Sequence, residues 1–138
     1  CSSDEGCPYS IGCPNLINPS SEDEVWLGTD SNDLFLVTEG GPREKFLYLF
    51  EGYDVVIGSD GDERVYNEFY GGGGSTLFLK GGEDVVNMGA EEEKIYFGNG
   101  NDSAISQRDG FQDLIFGGEG VDVLAGEYDG DDVLRSIN

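Results

Sequence analysis

The stretch "GGEGVDVLA", residues 117–125, places two glycines, an acidic residue, a third glycine and an aspartate ahead of a short apolar run. Its neighbours repeat the design. "GEYDGDDVLR" (126–135) follows it, and "GTDSNDLFL" (28–36), "GSDGDERVY" (58–66), "GGGGSTLFL" (71–79) and "FGNGNDSAI" (97–105) precede it. In each, a glycine-rich turn ends on a polar or acidic residue and passes into about three mostly apolar positions. The closing residues fall at 33, 45, 54, 63, 76, 84, 94, 102, 113, 122 and 132, a recurrence of 8 to 13 residues. That interval is too short and too often broken by glycine for helices, so it predicts short strands joined by tight turns. Glycine supplies the positive-φ turn positions, and β-branched and aromatic residues suit the pleated segments.

On these residues, 28–135 resemble the RTX, or haemolysin-type, calcium-binding nonapeptide repeat, whose pattern is G-G-x-G-x-D-x-U-x. "GGEGVDVLA" fits every specified position, "GNGND" (98–102) and "GTDSND" (28–33) are close variants, and the remaining repeats are degenerate. The resemblance implies an all-β fold, a parallel β-roll or right-handed β-solenoid with calcium between stacked turns. The expected division is a cysteine-bearing N-terminal segment, 1–24, acting as cap, tail or linking arm, and an RTX-like roll over 25–138.

Composition is consistent with a cation partner. Among 138 residues there are 29 acidic and 7 basic side chains and no histidine, a formal charge of −22. Compaction concentrates that charge at a self-repulsive cost. Scattered Lys and Arg argue against nucleic acid and against an anionic membrane surface. No apolar run approaches the length needed to span a bilayer, so no transmembrane segment is expected. Acidic glycine turns offer the carboxylate and carbonyl oxygens that calcium prefers, whereas the lack of histidine disfavours transition metals. The candidate metal residues are Asp33, Asp54, Asp60, Asp62, Glu63, Asp84, Asp102, Asp113, Asp122 and Asp132.

In a roll, successive turns lie on opposite edges, which sorts the closing residues into two columns. One reads Lys45, Glu63, Asp84, Asp102, Asp122 and is expected to hold the better calcium ladder. The other reads Asp33, Asp54, Thr76, Lys94, Asp113, Asp132, and Thr76 and Lys94 predict weak or no calcium there. Lys94, beside Glu91, Glu92 and Glu93, is either a stand-in for the cation or part of a solvated turn. On this assignment, losing Asp102 or Asp122 harms calcium binding more than losing Asp113.

With only the middle residue of each triplet pointing inward, Leu34, Leu36, Val55, Ile57, Leu77, Leu79, Ile95, Phe97, Leu114 and Phe116 form an apolar outer stripe. That stripe requires a cover. The candidates are the opening segment, with Tyr9, Ile11, Leu16, Ile17 and Trp26, or a second subunit; the alternative for Trp26 is that it caps the first turn.

Cys1, Cys7 and Cys13 all lie in that segment, and the chain begins without Met, which together point to an extracellular or cell-surface protein. The odd cysteine leaves a free thiol, a cross-link to another chain, or lipid anchoring at Cys1. The sequence stops three residues after the last triplet, which fits an N-terminal export signal better than a C-terminal one. No Ser, His and Asp set exists, and the recurrent carboxylates are explained by the repeat, so no enzymatic activity is expected. The leading expectation is a secreted calcium-binding structural protein that self-associates head to tail. The alternative is a calcium-dependent glycan-binding or adhesion module.

Overall fold

The computed structural model describes residues 15–18, 23–37, 44–67, 74–89, 92–106, 113–126 and 133–135. Cys1, Cys7, Cys13, Tyr9, Ile11, Glu91 and Asp132 lie outside the described residues. Thirteen short strands are present among them and no helix. In chain order they are β1 (Asn15–Ile17), β2 (Val25–Leu27), β3 (Asp33–Leu36), β4 (Glu44–Tyr48), β5 (Asp54–Ile57), β6 (Asp62–Tyr66), β7 (Ser75–Phe78), β8 (Val85–Asn87), β9 (Glu93–Tyr96), β10 (Ser103–Ser106), β11 (Leu114–Phe116), β12 (Val123–Gly126) and β13 (Val133–Arg135). Odd-numbered strands form one sheet of seven and even-numbered strands one sheet of six, each ordered along the chain and parallel throughout. This is a parallel β-roll, an all-β right-handed solenoid. β1 belongs to the roll, although it precedes the boundary expected at residue 25.

The core follows from an alternation that extends beyond the triplets. In "DLFLV", Asp33, Phe35 and Val37 are buried and face inward; Ser75, Leu77 and Leu79, and then Glu93, Ile95 and Phe97, repeat this. β3, β7 and β9 therefore each point three residues into the roll, the closing residue at the edge and two apolar residues behind it. The opposing sheet supplies Trp26, Leu47, Val65, Val86 and Ala104, all fully buried. Burying a valine- or leucine-sized side chain contributes roughly 1.5–3 kcal/mol before entropy is counted.

Two expectations about the seven-stranded sheet need correction. Ser75 pairs with Asp54 and Glu93, and Thr76 with Val55 and Lys94, so the column contains Ser75 and Glu93 in place of Thr76 and Lys94. Consequently Leu77, Leu79, Ile95 and Phe97 are core residues, while Thr76, Phe78, Lys94 and Tyr96 face outward. This parity places two large apolar side chains inside per strand where the expected one placed a single residue. It also lets Phe78, Tyr96 and Phe116 stack, with ring centroids 4.9 Å apart. Trp26 is not a cover for the stripe but an inward residue of β2, its indole N–H donating to the Asp23 carbonyl at 2.9 Å. Ile17 packs against the core from β1, and Leu16 is exposed.

The turns stack as tightly as the strands. Gly100 and Gly120 have φ of 128° and 120°, and a Cβ on either would run into the carbonyl of the turn before it. Only glycine satisfies both demands.

Candidate metal centre

The closing residues converge along the two edges of the roll. On the first edge the column is Lys45, Glu63, Asp84, Asp102 and Asp122; on the second it is Asp33, Asp54, Ser75, Glu93 and Asp113. Asp33, Asp54, Glu63, Asp84, Glu93 and Asp113 are fully buried, and Asp102 nearly so. Carboxylates are almost never fully buried without a partner.

Part of the explanation is backbone hydrogen bonding. Asp84, Asp102, Asp122, Asp54 and Asp113 each accept the amide of the corresponding residue one turn earlier. Asp84 receives Glu63 N–H at 2.7 Å, Asp102 receives Asp84 N–H at 2.8 Å and Asp122 receives Asp102 N–H at 3.1 Å. On the second edge Asp54 receives Asp33 N–H at 2.8 Å and Asp113 receives Glu93 N–H at 2.9 Å. The acids also cap their own turns. The Thr29 hydroxyl donates to Asp33 at 2.8 Å, the Ser59 hydroxyl to Glu63 at 2.6 Å, and Gly89 N–H to Glu93 at 3.0 Å. This is why serine or threonine follows the glycine in "GTDSND" and "GSDGDE": each places a second donor on the closing carboxylate.

The second oxygens are not so provided. Asp54 Oδ2, Glu63 Oε2, Asp84 Oδ2, Glu93 Oε2, Asp102 Oδ2 and Asp122 Oδ2 are buried without a hydrogen-bond partner. Moreover Glu63 and Asp84, Asp102 and Asp122, and Glu93 and Asp113 stand within side-chain hydrogen-bond reach of each other. With both members ionised, neither has a donor to offer. Burial, reinforced by the neighbouring acid, pushes Asp84 up to about 10 and Glu93 up to about 9. Burial likewise raises Asp54 to about 8 and Asp102 to about 7, and it raises Glu63, which Lys45 partly offsets. Among the column residues Lys45 alone carries positive charge, and it lies beside Glu63.

No protein-family model, curated protein or solved structure matches the chain. The chemistry of the edges therefore stands on its own geometry. Unpartnered buried carboxylate oxygens, flanked by glycine turns that carry carbonyl oxygens, fit a hard cation with many oxygen ligands. Among the described residues no three carboxylates, histidines or cysteines gather at one point. The carboxylates come as pairs between turns, so further ligands would come from main-chain oxygens.

The remaining expected site residues fall outside the pairs. Asp60 is exposed in its turn, and Asp62 Oδ1 accepts Glu83 N–H from the next turn at 2.8 Å, a stacking role shared by Asn32 and Asn101. Glu93 is the residue that sequence reading missed. Its signal was the spacing E-x-I-x-F, which matches D-x-F-x-V at 33–37. Because Asp113 faces Glu93 and not Lys94, the expectation that Asp113 matters less than Asp102 does not follow from the observed register. Asp113→Ala is expected to weaken calcium binding as strongly as Asp102→Ala in calorimetric titration, with either loss lowering affinity about tenfold or more, on the order of 1.4 kcal/mol.

Proposed function

We propose that the chain is a secreted calcium-binding structural protein whose roll folds on calcium and associates head to tail. The observation that carries the calcium reading is the set of buried acid-on-acid pairs, Glu63 with Asp84 and Asp102 with Asp122 on the first edge and Glu93 with Asp113 on the second, in which Glu63, Asp84, Asp102, Asp122 and Glu93 each keep a buried oxygen without a hydrogen-bond donor. Calcium at these pairs would neutralise both members and tie successive turns together. That is a structural role: the carboxylates supply ligands, and the glycine turns allow the close approach that stacking needs.

Self-association is supported by the ends of the solenoid. β2 and β12 are the outermost strands of the six-stranded sheet, and among the described residues neither has a strand on its outer side. Val25 and Leu27 are exposed on one and Val123 on the other. Open strand edges with apolar residues invite a further strand at about 4.8 Å, and a head-to-tail contact continues into a filament.

The stacked rings favour this reading over a glycan-binding module. Phe78, Tyr96 and Phe116 lie face to face at interplanar angles of 6–7°. Tyr96 is thus sandwiched between the other two rings, and neither of its faces is free to stack on a sugar ring.

The test is electron microscopy and light scattering of the full chain with calcium and with chelator, alongside a chain lacking residues 1–14. That truncation spares β1. Ordered polymers are expected only with calcium, and the truncation is expected to weaken them if the cysteine-bearing segment links neighbours. A full chain that stays monomeric in calcium at high concentration overturns the filament reading.

A further inference from the structure

Lys45 is the single base in the two columns. Its side chain is only 2% exposed, in β4, and it sits directly beside the fully buried Glu63 of β6 in parallel register. On its other side the register brings Glu24, which is exposed. We propose that Lys45 is a tethered cation that takes the metal's place at the first turn of this edge, so that the line of bound calcium begins at Glu63 and Asp84.

The inference rests on the calcium reading above and adds to it where the metal is not needed. Lysine is almost never buried to this degree unless it is paired, and its ammonium brings three donors and one positive charge to an edge otherwise built of acceptors. Of the residues that the register sets beside a buried acid in these columns, Lys45 alone carries positive charge. The surface pair Arg64–Glu44, at 3.1 Å but about 40% exposed on both sides, belongs to the outer face of the same strands and is no substitute. A turn that carries its own cation can form before any metal binds. In a solenoid, where each turn is stabilised by its neighbours, it then serves as the template on which the metal-dependent turns stack.

Calcium titration calorimetry on the full-length chain and on Lys45→Asp and Lys45→Met, with circular dichroism along each titration, tests this. Lys45→Asp restores an acid to the column and is expected to bind one calcium more per chain than the parent. Lys45→Met removes the cation without adding a ligand; it is expected to bind the parent's number of ions but to need several-fold more calcium to reach half of its β-sheet signal. If Lys45→Asp binds only the parent's number, or Lys45→Met folds at the parent's calcium concentration, the inference is overturned. Should Lys45→Asp fail to fold at any calcium concentration, Lys45→Met decides alone. A parent chain that binds no calcium overturns the calcium reading itself, an outcome distinct from a parent that binds calcium and variants that match it.

Discussion

In excess chelator at neutral pH the chain is expected to lose most of its β-sheet circular dichroism, and added calcium to restore it. Without a bound cation the fold holds three buried acid-on-acid pairs, on a chain whose formal charge is −22. A ligand that binds only the folded state stabilises it by about 2.7 kcal/mol per site when present at 100 times its dissociation constant. Three such sites would contribute about 8 kcal/mol, a figure within the total stability of an ordinary domain at about 5–15 kcal/mol. Loss of calcium is therefore expected to unfold the roll outright. A melting temperature unmoved by chelation would contradict this.

Acid should replace calcium in part. In the unfolded chain the edge carboxyls ionise near 3.8 for Asp and 4.5 for Glu, whereas in the metal-free fold burial moves Asp102 to about 7, Asp54 to about 8, Glu93 to about 9 and Asp84 to about 10. Folding without metal thus takes up protons throughout that interval. Stability contributed by these groups is fully present below the unfolded values and is lost as pH rises through the folded ones. The metal-free chain is accordingly expected to be most folded near pH 4 and to unfold progressively toward pH 10. Calcium, which competes with the protons, should bind more weakly as pH falls. Circular dichroism across this range, with chelator and with saturating calcium, checks both halves. A metal-free chain that gains structure as pH rises would contradict the account.

The roll could be read from "GGEGVDVLA" and its neighbours because glycine turns and apolar runs alternate too quickly for any helix. The first edge was legible for the same reason: "GSDGDE", "GNGND" and "GGEGVD" each end in an acid that lies in the observed column. The second edge was misread by one residue at two turns. In "STLFL" and "EKIYF" three apolar residues run consecutively, so apolarity alone does not choose which of them face inward. Packing chooses. Leu77 with Leu79, and Ile95 with Phe97, fill the interior, and Phe78 and Tyr96 stack outside. The choice carries Ser75 and Glu93 to the edge and turns Lys94 outward. Lys45, which the sequence placed at the head of the acidic column, is buried beside Glu63.

The most direct test of the central claim, that the acidic edges hold calcium, is to count calcium bound per chain by calorimetric titration at neutral pH in the parent and in an Asp84→Asn, Asp102→Asn double variant. The account predicts that the parent binds several ions, with β-sheet signal rising along the titration, and that the double variant binds fewer and folds at higher calcium concentration. A parent that takes up no calcium at millimolar concentration, or a double variant with the parent's stoichiometry and affinity, would contradict it.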